Sequence, residues 1–134
     1  MKDSIQEALK TIAELETLYD SENVVVINQL CNKLINLSVH IGKQTTDAEK
    51  LFKSLKDEYE YVVDKKKLEL IESGVGVGKA ESTATVEFYE KKKDYRTAED
   101  GFERLKRFLQ RLDKVFDSNK QYVATIKSTN LKGV

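Results

Sequence analysis

The chain has 134 residues, and its 23 basic and 23 acidic side chains give a net charge of zero, which excludes strong polyanion binding driven by total charge alone. A single cysteine excludes an internal disulfide and a cysteine-based zinc site. Proline is absent and 34% of the residues are charged, so we expect one domain that is helical for most of its length.

The first predicted element is a helix within residues 1–20. Ser4 and Glu7 have the spacing of a capping box, in which the serine accepts from an early amide and the glutamate reaches back. Apolar residues then recur on one helical face, and residues 20–23 form a polar turn. The face comprises Ile5, Leu9, Ile12, Leu15 and Tyr19.

The second predicted helix covers residues 24–72 and carries an apolar residue at every seventh position from Ile27 to Val62. Such a repeat places one apolar stripe along a helix that pairs with another helix. A short strand at 24–27 is the alternative there, because these residues are apolar and β-branched. Gly42 and the polar residues 44–47 indicate a kink. The principal seam positions of this helix, those that belong to the apolar stripe, are Ile27, Leu34, Ile41 and Leu55.

A glycine-rich turn at 73–81 separates this helix from a third, predicted at 82–128. The third helix has its own seven-residue repeat, from Phe88 to Val123. Asn119 falls among its apolar positions, where a polar residue fixes the register of helix pairing. Its principal seam positions are Phe102, Leu109, Leu112 and Phe116.

These elements predict an all-α fold with a single domain at 1–134. The fold is a long antiparallel helical hairpin, similar to a coiled coil, with a short N-terminal helix. A narrow seam buries little apolar surface for a chain of this size. We therefore expect the hairpin to form a homo-oligomer through its seam residues.

No constellation of residues indicates catalysis. The glycine-rich turn has Ser73 where a phosphate-binding loop needs its first glycine, and Ala80 where that loop needs a hydroxyl. His40 is the only histidine and has no evident partner for acid–base work. We expect no enzymatic activity, no cofactor and no metal.

The N-terminus has no apolar signal core, and no run of residues approaches the length that spans a membrane. Cys31 lies in an apolar stretch and is expected to be a small buried hydrophobe. We expect a cytoplasmic protein without a membrane partner.

Positive charge is concentrated in the second half of the chain. Residues 1–78 contain 10 basic and 14 acidic side chains, whereas residues 79–134 contain 13 and 9. Arg104, Arg107 and Arg111 are spaced by three and then four residues, so they form one stripe along the third helix. Arginine pairs well with phosphate. Tyr89, Tyr95 and Tyr122 are candidates for stacking on bases. The alternative is ordinary solubilising charge, with Asp113 and Asp117 as partners. The predicted nucleic-acid-binding residues are Lys65, Lys66, Lys67, Lys91, Arg104, Arg107, Arg111 and Lys114.

The second half of the chain resembles the UvsY type of recombination mediator from T-even phages. The resemblance lies in the glycine pattern Ser73-Gly74-x-Gly76-x-Gly78, in the tripeptide that starts at Tyr89, and in an apolar-rich final helix ending at Lys127. In the first half only the layout of a short and then a long helix is similar. A basic motif of that family places its lysine at Lys66, but its arginine falls on Leu68.

The resemblance implies a small helical protein that forms rings and binds single-stranded DNA. Proteins of this type help to load a recombinase onto DNA coated by single-strand-binding protein, so these two proteins are the implied partners. The alternative function is a phage protein-interaction module, either an inhibitor of a host defence complex or a coiled-coil adaptor.

Overall fold

The computed structural model describes residues 2–19 and 23–132, with side chains for 4–19 and 23–126. Within these residues the protein forms four α-helices and no strand, so the predicted all-α class is confirmed. Of the turn predicted at 20–23, only Asn23 lies within the described residues. The helices are α1 (Lys2–Leu18), α2 (Val24–Glu72), α3 (Val77–Glu87) and α4 (Tyr89–Lys132).

Helix α1 begins two residues before Ser4, so the prediction that Ser4 caps this helix is wrong. Of the predicted apolar face, Ile12 and Leu15 are buried, whereas Leu9 is 40% exposed and its place is taken by Ala8 and Thr11. The buried hydroxyl of Thr11 donates to the Glu7 carbonyl oxygen at 2.8 Å. That bond satisfies the only polar group that the face buries in the described part of α1.

Helix α2 has the bounds that the sequence predicted. Asn23 caps its start, because the amide of Val26 donates to Asn23 Oδ1 at 3.3 Å. The strand considered at 24–27 is wrong, since these residues are helical, and the helix is continuous through 42–47. In that polar run the Thr45 hydroxyl donates to the Ile41 carbonyl oxygen at 2.7 Å, so it bonds to its own helix.

Helix α2 ends in a Schellman motif centred on Gly74, which has a φ of 95°. The Gly74 amide donates to the Ile71 carbonyl oxygen, and the Val75 amide donates to the Leu70 carbonyl oxygen, both at 3.0 Å. The motif completes the chain reversal within 73–76, so the predicted turn at 73–81 is too long.

The single helix predicted at 82–128 is wrong in its start and its continuity. Helix α3 begins at Val77, and its buried alanines Ala80 and Ala84 lie one turn apart on one face. Packing of that face outweighs the low helix propensity of Gly78. Helices α3 and α4 are separated at Phe88, which has φ −104° and ψ 24°. The Phe88 amide donates to the Ala84 carbonyl oxygen, and the Lys92 amide donates to the Phe88 carbonyl oxygen, both at 3.2 Å. The interruption between the two helices is therefore confined to one residue.

The chain divides into two compact units. Unit 1 contains Met1–Thr45 and Leu105–Val134, and unit 2 contains Thr46–Arg104. The boundary in α2 falls within the polar run 44–47, where the apolar repeat is weakest.

Unit 1 buries the seam residues Ile27, Leu34, Ile41 and Leu112 completely, each at 0% exposure. The seam residues Leu109 and Phe116 are half-buried. Four large aliphatic side chains without access to water form the centre of this unit. The seven-residue repeat of α2 predicted three of them, and Leu112 lies beside the repeat of α4.

Unit 2 is held by aromatic pairs between α2 and α4. Phe52 meets Phe102 edge to face with ring centroids 6.2 Å apart, and Tyr59 meets Tyr95 at 5.3 Å. The pairs advance along α2 while they go back along α4, so the two helices run antiparallel within this unit. The seam residue Leu55 is half-buried between the two pairs along α2.

Candidate nucleic-acid interface

Three of the four lysines predicted to bind nucleic acid in unit 2 form ion pairs. Lys66 lies 3.5 Å from Glu87, and Lys67 lies 3.8 Å from Glu81. Lys91 Nζ lies 2.7 Å from Glu58 Oε1. These carboxylates come from other helices and compensate the lysine charge, which makes the group less suited to phosphate than its sequence indicates. The fourth, Lys65, is exposed and has no ion pair in the described part of the chain.

The basic face of α4, defined as Arg107, Arg111 and Lys114, belongs to unit 1, and all three side chains are exposed. Arg104, the remaining predicted residue of α4, is exposed in unit 2. Within the described residues, neither Arg111 nor Lys114 has an ion pair, and the carboxylates of Asp113 and Asp117, considered as partners, form none. The positive charge of Arg111 and Lys114 is therefore available to an anion.

Arg111 and Lys114 also line a groove between α1 and α4 in unit 1, with a volume of about 310 Å³. We call it the tyrosine groove, because Tyr19 forms part of its wall. Burial raises the pKa of the Tyr19 phenol, with smaller contributions from Cys31, Glu16 and Tyr122, so its hydroxyl stays protonated and can donate. The remaining lining residues are Ile12, Leu15, Glu16, Val115 and Ser118.

The tyrosine groove combines an apolar floor with positive charge at its α4 wall. Glu16 places one carboxylate in the same groove, and this carboxylate limits how much negative charge a ligand in the groove can carry. The arrangement suits a ring or short apolar group that carries a single phosphate. Arg111 and Lys114 were predicted from the sequence, but Tyr19 was not, because its approach to α4 depends on how α1 packs.

Two of the three tyrosines proposed for base stacking are already packed against other rings. Tyr95 is 7% exposed and contacts Tyr59. Tyr122 contacts Tyr19 with ring centroids 4.6 Å apart. Tyr89 alone of the three is exposed, at 59%. Stacking by Tyr95 is therefore a wrong prediction, because that ring belongs to the core of unit 2.

A second groove in unit 1, with a volume of about 520 Å³, lies between α2 and α4. We call it the thiol groove, because it contains Cys31. Burial raises the pKa of the Cys31 thiol, and a hydrogen bond from the Asn119 side chain acts in the opposite direction. Cys31 is half-buried and not fully enclosed. The other lining residues are Asn28, Asn32, Asn119, Lys120, Val123 and Ala124.

Asn119 is only 4% exposed, and its Oδ1 is buried without a hydrogen-bond partner. A buried amide oxygen without a donor costs free energy, and Gln44 Oε1 is buried without a hydrogen-bond partner in the same way. Asn119 was expected at the seam from its sequence position. The absence of a hydrogen-bond partner for Asn119 Oδ1 could not be predicted, because it depends on which groups the other helices place near this atom.

Potential metal-ligating side chains are not clustered in the described parts of the chain. No group of three or more histidine, cysteine, aspartate or glutamate side chains there could hold a metal ion. His40 is exposed on α2.

The expectation that no run approaches membrane-spanning length is wrong for α2. This helix contains an 18-residue window with a mean hydropathy of 1.2 and no more than two charged residues. Of the residues in that window, 17% are buried. By length and composition it could cross a membrane. One such helix is weak support for a membrane protein, because core helices have the same composition.

In comparisons with known proteins, no family model matches the chain, and neither a curated protein nor a solved structure matches it significantly.

Proposed function

We propose that the protein is a self-associating helical hairpin that binds single-stranded DNA through the basic face of α4. In this proposal it acts as a recombination mediator, helping to load a recombinase onto DNA coated by single-strand-binding protein. The observation that carries the proposal is the exposure of Arg111 and Lys114 beside an apolar groove, without an ion pair in the described residues. The resemblance of the turn and final helix to phage mediators supports the second step.

Binding of this kind depends on phosphate and is independent of base sequence. Each chain offers few uncompensated positive charges, because Lys66, Lys67 and Lys91 are paired with carboxylates. Affinity per chain is therefore modest, and its dependence on salt is limited by the small number of phosphate contacts. Several copies on one strand raise the effective concentration of each contact, which makes self-association part of the mechanism.

A matched pair of double variants tests the DNA-binding step. Arg111→Gln with Lys114→Gln removes two uncompensated charges, and Lys66→Gln with Lys91→Gln removes two charges that are paired with carboxylates. Binding of a fluorescent thymidine oligonucleotide is followed by anisotropy at several salt concentrations. The first variant should reduce the slope of log affinity against log salt by about 1.4, because each phosphate contact on a single strand contributes about 0.7. The second variant should change the slope less.

Wild-type protein that fails to bind the oligonucleotide at physiological salt contradicts the DNA-binding proposal. Equal effects of the two double variants contradict the assignment to the basic face of α4. The mediator step is measured separately, as the rate of ATP hydrolysis by a phage recombinase on DNA coated by single-strand-binding protein. Addition of the wild-type protein should raise that rate, and no change contradicts the mediator role.

A second candidate function, a protein-interaction module, is favoured by the exposed apolar side chains of unit 2. Tyr61 is 65% exposed and Val86 is 76% exposed, and exposed apolar surface of this kind suits a protein partner. The module could be a phage inhibitor of a host defence complex or a coiled-coil adaptor. The anisotropy titration separates the two functions, because a module of this type binds the oligonucleotide only at low salt. The further members of this apolar set are Leu51, Leu68, Val77 and Tyr89.

A further inference from the structure

The tyrosine groove lies between two helical faces of unit 1. Its lining residues have the spacing i, i+3, i+4 and i+7 along α1 and the residue that follows it, and the same spacing along α4. Each set therefore lies on a single face, and both faces belong to one compact unit. The first wall consists of Ile12, Leu15, Glu16 and Tyr19, and the second consists of Arg111, Lys114, Val115 and Ser118.

Positive charge and the tyrosine ring lie towards opposite ends of this groove. Arg111 and Ser118 are seven residues apart on α4, which corresponds to about 10 Å along the helix axis. Tyr19 lies at the Ser118 end, because its ring contacts the ring of Tyr122, one helical turn beyond Ser118, with centroids 4.6 Å apart. A ligand that fills the groove therefore meets a guanidinium at one end and an aromatic ring at the other.

The charges of the groove match a group that carries one negative charge. Arg111 and Lys114 have no ion pair within the described residues, and Glu16 supplies one carboxylate, so one positive charge is in excess. A phosphodiester carries one negative charge and neutralises that excess. A phosphate monoester carries about 1.5 to 2 negative charges at pH 7 and exceeds it. The groove is therefore better matched to a phosphate within a nucleic-acid strand than to the phosphate of a free nucleotide.

The size and the floor of the groove suit a single base. Its volume of about 310 Å³ is at the lower end of the range for small-molecule sites, about 300–1,000 Å³, so it has room for one nucleotide and not for a stack of bases. Ile12 and Leu15 form an apolar floor, and Tyr19 is half-buried, so part of its ring is open to the groove. Every base has a π-face, so an aromatic ring beside an apolar floor accepts a base without selecting its sequence.

We propose that the tyrosine groove holds one nucleotide of the bound single strand, with its phosphodiester at Arg111 and Lys114 and its base against Tyr19. The inference rests on the proposed function, and it adds a site for a base to the phosphate contacts of the basic face. The occupant is a nucleotide within a strand, because the charge of the groove matches a diester.

The first measurement compares two fluorescent oligonucleotides of equal length by anisotropy, one of thymidine and one with the same backbone but without bases. Both strands present the same number of phosphates, so a difference in affinity reports contacts with bases. Wild-type protein should bind the thymidine strand more tightly by a factor of about five or more, which is the worth of one base stacked on an aromatic side chain. Thymidine 5′-monophosphate, in excess over the strand and at constant ionic strength, should not displace it.

A variant that fills the groove locates the contact. Ser118 is exposed at the Tyr19 end, and Ser118→Leu occupies that end with a side chain of good helix propensity. This variant should bind the two strands with equal affinity, because the base loses its site while Arg111 and Lys114 keep their charge. The matched control, Gln110→Leu, places the same side chain at an exposed position of α4 in unit 1 outside the groove, and it should keep the preference for thymidine. Circular dichroism confirms that both variants are helical.

The second measurement changes the charge of the groove without filling it. Glu16→Gln removes the carboxylate that opposes the bound phosphate, so the affinity for the thymidine strand should rise, and the gain should shrink as salt is added. The control, Glu14→Gln, removes the same charge from α1 at a position that does not line the groove, and it should change the affinity less.

Equal affinity of the wild type for the thymidine strand and the strand without bases overturns the proposal. So does a preference for thymidine that Ser118→Leu retains, because the base is then bound elsewhere. Equal effects of Glu16→Gln and Glu14→Gln, or displacement of the strand by thymidine 5′-monophosphate, also overturn it. Each of these results leaves the proposed function intact, because the wild type still binds the strand. A wild type that binds neither strand at physiological salt refutes the proposed function, and the groove assignment with it.

Discussion

Phe52 and Phe102 pack edge to face with their ring centroids 6.2 Å apart, and they set the register between α2 and α4 in unit 2. Tyr59 lies seven residues after Phe52, and Tyr95 lies seven residues before Phe102. The second aromatic pair therefore repeats the first after two helical turns in each helix. This repetition is what two antiparallel helices with matched seven-residue repeats produce.

Phe52 and Phe102 together should contribute more to the free energy of unfolding than the sum of their separate contributions. A double-mutant cycle with Phe52→Ala and Phe102→Ala should give a coupling free energy of about 1 kcal/mol, because edge-to-face rings attract each other beyond their buried area. Unfolding by urea, followed by circular dichroism, supplies the four free energies. As a control, Phe52→Ala should be additive with Leu112→Ala, because Leu112 lies in unit 1. Additivity in the phenylalanine cycle would contradict the proposed role of the pair.

Two glycines of the chain reversal should respond to alanine in opposite ways. Gly74→Ala should destabilise the protein by about 1 kcal/mol, because the residue has a φ of 95° and a side chain disfavours that conformation. Gly78→Ala should stabilise it by about 0.5 to 1 kcal/mol, because Gly78 is helical and an added Cβ meets no atom within 4 Å. Thermal unfolding of both variants checks the signs. A stabilising effect of Gly74→Ala would contradict the Schellman motif, and a destabilising effect of Gly78→Ala would contradict the helical position of Gly78.

The reactivity of Cys31 should report on its burial. Because burial raises the pKa of the thiol, the rate of alkylation by iodoacetamide should reach its midpoint at a higher pH than it does for free cysteine. Asn119→Ala removes a hydrogen bond that lowers this pKa, so it should move the midpoint higher still. Both profiles are recorded at low protein concentration. A wild-type midpoint at or below that of free cysteine is inconsistent with the environment described for the thiol.

The ion pair between Glu7 and Lys33 should stabilise unit 1 slightly and in a defined pH range. The hydrogen bond with Lys33 lowers the pKa of Glu7 below its ordinary value of 4.5 and raises the pKa of Lys33 above 10.5. The contribution of Glu7 is therefore present above pH 4.5 and is lost as pH falls through its lowered pKa. For Lys33 it is present below pH 10.5 and is lost as pH rises through its raised pKa.

Glu7→Gln should accordingly lower Tm by a small amount at pH 7, because the pair is exposed, and by less at pH 2. Differential scanning calorimetry at the two pH values measures the difference. A loss of equal size at both pH values would assign the effect to the shape of the side chain and not to its charge.

Periodicity predicted the parts of the fold that depend on one helix at a time. The bounds of α2 and the burial of Ile27, Leu34 and Ile41 follow from an apolar residue at every seventh position. The early start of α3 was not predicted, because glycines near Gly78 indicate a turn unless the packing of Ala80 and Ala84 is known. Helix propensity is a local quantity, and burial against other helices overrides it.

The residues of the candidate site likewise fall into those that the sequence predicts and those that depend on packing between helices. Exposure of Arg111 and Lys114 could be predicted, since charged residues beside an apolar stripe face solvent. The pairing of Lys91 with Glu58 could not, because the two residues are 33 positions apart and meet only through the packing of α2 against α4. The orphaned Oδ1 of Asn119 likewise depends on which side chains the neighbouring helices present.

The division into two units also has a consequence for the order of folding. Thr46–Arg104 is an uninterrupted stretch of sequence, so its contacts can form in order outward from the four-residue reversal around Gly74. The other unit must bring together segments separated by the whole of that stretch, which costs more loop entropy. We therefore expect the middle of the chain to acquire its helices first and to hold the two outer segments near each other until they pack.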